Sequence, residues 1–276
     1  MKRICSRGLA LLLTLTLVLG VIPFGVSAAE KDFVYTVSEG CAIITDYTGT
    51  DSNLVIPDTL GGYPVTEIEA FAFDECSMVS VTIPASVKRI GGGAFYLCEA
   101  LETVTFSEGL ETIEETAFGD CISLTKAVLP STVKSLCPEM FTGCDSLTVL
   151  QIAKGCTTYT ASGNCIIETK TGTLIQGCST SVIPTSVKVK KIAPYAFAAV
   201  RNLKTIKIPT TVTEIGDYAF DSTGLTELYI PKSVTKMGKY VVYYSSVKTV
   251  RCGASSQPAG WNTKWLAGVS AEVIWG

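Results

Sequence analysis

Residues 209–230 read PTTVTEIGDYAFDSTGLTELYI, and at Pro231 the same pattern begins again. Three further copies stand upstream: PASVKRIGGGAFYLCEALETVTF from Pro84, SEGLETIEETAFGDCISLTKAVL from Ser107 and PSTVKSLCPEMFTGCDSLTVLQI from Pro130. Pro84, Ser107, Pro130 and Ala153 are 23 residues apart, and Pro184, Pro209, Pro231 and Gly253 continue the series after an interruption. Self-similarity at such a period marks a solenoid, each copy forming one coil stacked on the next. Burying the apolar side chains of one coil contributes roughly 1.5–3 kcal/mol each. Ordering its two dozen backbone positions costs about 1–2 kcal/mol apiece. A coil therefore folds only on its neighbours, with caps at both ends of the stack.

Inside each copy, Val or Leu precedes Ile, Leu or Met by three residues, as in Val87 and Ile90, Leu110 and Ile113, or Val212 and Ile215. A Phe follows, usually after Ala: Phe73, Phe95, Phe118, Phe141, Phe197 and Phe220. Each copy closes on an apolar–x–x–apolar–x–apolar run such as Leu225, Leu228 and Ile230, or Leu203, Ile206 and Ile208. That spacing followed by Pro predicts a short strand, because Pro offers no N–H to continue a ladder. Gly91, Gly216 and Gly238 share a position with Glu114, Ala193 and Cys137, so it does not demand positive φ in every coil.

The ends and the middle depart from the repeat. Lys2, Arg3 and Arg7 precede a mostly apolar run from Leu9 to Val26, and Val26-Ser27-Ala28 resembles a small-residue cleavage site. This predicts a secretory signal peptide over 1–28 and an extracellular, cell-surface or secreted mature chain. An uncleaved anchor is the competing reading of the same run. Residues 29–56 alternate and turn on Thr48-Gly49-Thr50, predicting capping strands. The solenoid spans 57–253, with an irregular insertion at 154–183 whose NCIIETKTGTLIQGC predicts a projecting hairpin about Lys170-Thr171-Gly172-Thr173. Residues 254–276 hold Trp261, Trp265 and Trp275, all the tryptophans of the chain, and read as an aromatic lid over the last coil. A carbohydrate-stacking site is the rival reading of that concentration.

Chemistry is sparse. The chain has no histidine, which removes Ser–His–Asp, Cys–His and His-ligated metal sites. It has no C-x-x-C pair and no phosphate loop, so neither an enzyme nor a cofactor or metal is expected. Cys76, Cys98, Cys121 and Cys144 each follow the repeat Phe by three residues and should stack as buried thiols; Val200 and Thr223 hold the same slot later. Cys165 and Cys178 come opposite each other in the expected hairpin, leaving a disulfide and two thiols both open.

The unit with Ile-Gly, Ala-Phe, Cys and Ile-Pro resembles the BspA-like leucine-rich repeat of bacterial surface and secreted proteins. The leader AIITDYTGTDSNLVIPDTLGGYPVTEIEAFAF and the ending AGWNTKWLAGVSAEVIWG are similar to the usual beginnings and ends of such arrays. The resemblance implies a right-handed, single elongated leucine-rich-repeat solenoid of the α/β horseshoe type, with short parallel strands and short helical turns. For function it implies binding and adhesion through the repeat surface, with no ligand residues to carry over.

Charge adds direction. Residues 29–153 hold 5 basic and 19 acidic residues, net −14, whereas residues 154–276 hold 14 and 6, net +8. In a stack, sequence order is spatial order, so one end is acidic and the other basic. On the strand face one outward row runs Thr82, Thr105, Val128, Gln151, Lys207, Tyr229 and Arg251. A second runs Val79, Glu102, Thr125, Thr148, Lys204, Thr226 and Lys248. Lys204, Lys207, Tyr229, Lys248 and Arg251 are therefore the candidate partner-binding residues, for a protein, an anionic glycan or a wall polymer. Neither a nucleic acid nor, after signal cleavage, a membrane span is expected. The alternative is a structural spacer that self-associates head to tail through its oppositely charged ends.

Overall fold

The computed structural model describes residues 29–276. The expected signal peptide, with Cys5, lies outside the described residues. From Tyr63 onward each coil has three sides, and each side follows from one part of the repeat. The first is a two-residue strand carrying the buried Ile, as in Arg89–Ile90, Thr112–Ile113 and Ser135–Leu136. These pair in parallel with like side chains aligned, Ile90 beside Ile113 and Ile113 beside Leu136.

The third side is a four-residue strand. Ser80–Ile83, Thr103–Phe106, Lys126–Leu129 and Val149–Ile152 form one parallel sheet with Asn53–Val55. Glu227–Ile230, Thr249–Cys252 and Glu272–Trp275 form another. Alternate residues point inward, so Val81, Ile83, Ala127, Leu129, Leu228 and Ile230 are buried while their neighbours stay at the surface.

Between them lies a turn side, and here the expected helical turns are absent. The described residues contain one short 3₁₀ turn, Glu30–Asp32, outside the coils. The solenoid is therefore all-β in its regular structure, not an α/β horseshoe. The reason lies in the backbone around the repeat Phe. Phe71 and Glu75, two places either side of Phe73, have φ of 60° and 55°; Thr116 and Asp120 bracket Phe118 at 49° and 53°. Left-handed residues at this spacing break an α-helix. The N–H groups of Phe71, Phe73 and Glu75 also point at the next coil, bonding to the carbonyls of Gly92, Ala94 and Tyr96 at 3.2, 2.7 and 2.8 Å. A helix would have spent them on its own carbonyls.

This turn-side ladder stacks the phenyl rings. Phe73–Phe95, Phe95–Phe118 and Phe118–Phe141 have centroids 4.9, 5.0 and 5.5 Å apart and planes within 23°. Burial of each ring contributes roughly 1.5–3 kcal/mol and each ring pair about 0.5–1.5 kcal/mol more. Phe33 and Tyr47, from the opening pair Phe33–Ser38 and Cys41–Tyr47, close the near end of the stack against Phe73. The glycine after the repeat Ile serves this closeness. A Cβ at Gly91 would come within 2.7 Å of the Ala70 nitrogen, and one at Gly216 within 2.4 Å of the Pro194 nitrogen.

The interruption divides the molecule into two arrays. Residues 154–183 form a meander of Tyr159–Ser162, Cys165–Glu168 and Thr173–Gln176, antiparallel in that order. It does not project. Ile166 packs in the core of the first array, while Cys165 and Ile167 pack in the core of the second. The apolar run Cys-Ile-Ile is thus buried on both faces of one strand, which is why it does not alternate. The first array's strand edges end here on side chains: the Leu136 N–H donates to the Tyr159 hydroxyl at 3.1 Å, and the Leu150 N–H to Asn164 Oδ1 at 3.4 Å. Cys165 and Cys178 remain thiols, and the described residues hold no disulfide.

The last coil is closed by Glu272–Trp275, parallel to Thr249–Cys252, and by Trp261 and Trp265, both buried. The indole N–H of Trp261 donates to the Val234 carbonyl at 3.0 Å, and its ring meets Trp265 edge-on at 5.1 Å and Trp275 at 5.8 Å. Indole faces so occupied cannot stack on a sugar, which removes that reading for Trp261 and Trp265.

Candidate partner-binding surface

Parts of the two outward rows read from the sequence align across adjacent strands. Thr82 stands opposite Thr105, Val128 opposite Gln151, and Tyr229 opposite Arg251 in adjacent parallel strands. In the second row the amide N–H groups of Glu102, Thr125 and Thr148 bond successively to the carbonyls of Val79, Glu102 and Thr125, and that of Lys248 to Thr226.

One segment breaks the pattern. Residues 203–208, expected as a strand, belong to no sheet, and among the described residues the main chain of 204–208 makes no backbone–backbone hydrogen bond. Leu203 and Ile208 are nevertheless buried. On the junction side the preceding coil has spent its residues on the meander, and Val182 bonds back to Gly163 instead of offering a strand; on the other side 204–208 forms no ladder with Glu227–Ile230 either. Lys207 therefore sits on a loosely held segment, beside a shallow recess lined by Ser162, Val182, Pro184 and Pro209.

Lys204, Lys207, Tyr229, Lys248 and Arg251 are all exposed, Tyr229 by 51%. Their charge is uncommitted. Only some basic side chains elsewhere are paired: Arg89 with Glu67 and Glu114 at 3.0 and 2.8 Å, Lys134 with Glu111 at 2.8 Å, and Lys191 with Glu214 at 3.1 Å. Among the described residues none of the four cationic candidates forms an ion pair; the Lys204 ammonium donates to the Arg201 carbonyl at 3.0 Å. Glu227, on the same strand as Tyr229, is the acidic residue nearest in sequence.

The other reactive residue types are occupied. The Cys98, Cys121 and Cys144 thiols donate to the carbonyls of Phe73, Phe95 and Phe118, each one coil away, at 3.0, 3.2 and 3.0 Å. The neighbouring thiol and burial hold Cys98 well above the usual range, and burial pushes Cys165 up to about 12 and Cys252 up to about 11. Nucleophilic thiolate is thereby suppressed. The hydroxyl of Thr223, in the equivalent slot, donates to the Phe220 carbonyl at 2.9 Å, and Val200 fills the same slot buried and without a donor, so the slot selects for small size. Among the described residues no group of three or more Cys, Asp or Glu side chains could hold a metal ion.

Two features escaped the sequence reading. Arg201 crosses from the second array to the first: its guanidinium meets Asp145 at 3.0 Å and Asp120 at 3.8 Å, while Asn202 donates to the Asp145 carbonyl at 3.0 Å. No repeat position signals it. Tyr195, Tyr218 and Tyr240 form a column on the turn side, centroids 5.0 and 5.1 Å apart. Their shared register, two residues before the repeat Phe or its substitute Val242, was the available signal.

The BspA-type leucine-rich-repeat model matches residues 66–171 and 172–260 in 6 copies, and the chain belongs to that family. Among solved structures it is similar to the pneumococcal vaccine antigen PcpA, at 18% identity over 89% of this chain and 97% of that one, TM-score 0.56. A leucine-rich-repeat protein from Bacteroides ovatus has 21% identity over 89% and 70%, TM-score 0.56. Another from Eubacterium ventriosum has 20% identity over 87% and 81%, TM-score 0.53. At these identities the likeness shows the solenoid fold. No curated protein sequence matches the chain, and no helix among the described residues is long and apolar enough to cross a membrane.

Proposed function

We propose that the protein is an extracellular binding and adhesion module that takes an anionic partner on the basic end of its strand face. The observation that carries this reading is exposed Tyr229 standing opposite exposed Arg251 on adjacent strands, with exposed Lys248 just before the second strand, exposed Lys207 in the preceding coil, and none of the three cations in an ion pair. Adjacent strands lie about 4.8 Å apart, so the patch matches a polymer with repeated negative charge, an acidic glycan or wall polymer, or an acidic protein surface. Arg251 supplies a planar donor fork, Lys207 and Lys248 supply point charges, and Tyr229 a ring for stacking. The double variant Lys207→Glu/Arg251→Glu, titrated with polygalacturonate at low and high salt, tests it. The wild type should bind at low salt and weaken as salt rises, because exposed charges are screened within about 10 Å at 0.1 M. Equal binding by the double variant would remove the patch from the function.

The alternative, a spacer joined head to tail, draws on the opposite charges of the two halves and on the outer strands Phe33–Ser38 and Glu272–Trp275, each paired on one side only. Strand edges of this kind accept a further strand. Sedimentation distinguishes it: concentration-dependent assembly that salt disperses favours the spacer.

A further inference from the structure

The turn side of the second array carries a cluster of five tyrosines that the strand-face reading does not use. Tyr195, Tyr218 and Tyr240 occupy one register position in three successive coils, at φ of 57°, 56° and 57°. Left-handed backbone favours glycine, and the first array fills the same position with Phe71, Gly93 and Thr116. Stacking the coils therefore does not call for an aromatic ring there. The second array nonetheless places three, with planes 5° and 24° apart. Tyr243 stands edge-on to Tyr218 and Tyr240 at 6.2 and 5.2 Å, and Tyr244 follows at 4.1 Å from Tyr243, 71% exposed.

The geometry selects a ligand class. Within the column the rings, 5.0 and 5.1 Å apart, turn their inner faces onto one another, so the column offers ring edges, with the hydroxyls they carry, more than open faces. The open aromatic surface belongs to Tyr244 at its end. A proline-rich peptide needs rings splayed into grooves, which stacked rings do not form. A polyhydroxylated chain instead needs a repeated row of donors and acceptors with an apolar platform beside it. Nearby charge disfavours an anion. Asp217 and Asp221 flank the column, Asp221 with its carboxyl held above the usual range by burial, and Glu139 adds to the field at Tyr195. The neighbouring cation, Lys239, lies over the Tyr218 ring at 5.9 Å.

We infer that this tyrosine column is a second binding surface, for an uncharged polysaccharide of linked hexopyranoses. It lies on a different side of the coil from the basic patch and stands or falls independently of it. The test uses the mature chain in affinity electrophoresis through gels containing a mixed-linkage β-glucan, a mannan or a galactan. At least one should retard the wild type, equally at low and high salt. Tyr244→Ala and Tyr240→Ala should each weaken retardation by about tenfold, whereas Lys207→Glu/Arg251→Glu should leave it unchanged. Tyr218→Phe and Tyr240→Phe keep the stack and remove hydroxyls, so loss of retardation with an unchanged melting curve separates recognition from folding. No retardation by any of the three polymers overturns the inference. Retardation that survives both Tyr244→Ala and Tyr240→Phe does so too, as does capture of a polyproline peptide in their place.

Discussion

The two arrays repeat one core pattern and differ in almost everything outside it. Both stack Phe on Phe, Phe95–Phe118 at 5.0 Å in the first and Phe197–Phe220 at 5.2 Å in the second. Both align Ile on Ile in two-residue strands. Yet the first array is acidic, with its Arg89 and Lys134 paired, while the second is basic, with Lys191 and Arg201 paired but the strand-face cations not, and a tyrosine column where the first has Phe, Gly and Thr. Inward positions are held alike because each must fit the coils on both sides. Outward positions carry no such constraint, so whatever distinguishes this protein from another solenoid is written there.

The largest expected effect probes the shared core. Cys121 lies buried in a slot where it donates to the Phe95 carbonyl between the Cys98 and Cys144 thiols. Cys121→Asp would bury a carboxylate, which neither a carbonyl nor neutral thiols can pair, at a cost of upwards of about 3 kcal/mol. Cys121→Val, by contrast, should cost less than about 1.5 kcal/mol. Urea unfolding of both variants checks this; a mild Asp variant would mean that the slot is open to water.

A smaller effect probes the join. Arg201→Ala removes the bridge to Asp145 and Asp120, and since all three side chains are partly exposed the loss should be about 1 kcal/mol or less. The more telling result is the shape of the unfolding curve. If the bridge couples two arrays whose cores meet only at the meander, the variant should unfold in two resolved steps. A single transition would show that the meander alone makes the arrays one unit.

The smallest effect is electrostatic. Burial and the nearby Glu115 raise the Glu139 carboxyl above its ordinary value. A carboxyl raised on folding binds protons more tightly in the folded state, so it lowers stability as pH rises from the unfolded pKa through the folded one. Glu139→Gln should therefore stabilise slightly at neutral pH and make no difference well below pH 4. Thermal melts across pH 3–7 would show it; stabilisation at the acid end instead would reverse the assignment.

How much of this was legible differs by residue. The period, the inward Phe, Ile and Cys positions and the two outward rows were readable because a stack repeats its constraints. The helical turns were expected in error: Asp-Tyr-Ala-Phe carries no mark of left-handed φ, which arises from coil-to-coil hydrogen bonds that only stacking reveals. The hairpin was placed outside the body because alternation was sought, whereas Ile166 and Ile167 face two different cores. Residues 204–208 look like every other closing strand, yet they form a ladder with neither the junction coil nor Glu227–Ile230. Lys207 and Arg251 were identified as outward, but that Arg251 lies beside Tyr229 on a sheet while Lys207 rides a loose segment needed the coordinates.

The claim that binding belongs to the second array's strand face is tested most directly by amide hydrogen exchange of residues 29–276 with and without polygalacturonate. Residues 204–208, held by no backbone ladder, should exchange fast alone and become the most strongly protected segment in the complex, with lesser protection at Glu227–Ile230 and Thr249–Cys252 and none at Ser80–Ile83 or Thr103–Phe106. Protection confined to the first array, or unchanged exchange at 204–208 in a saturated complex, would contradict it.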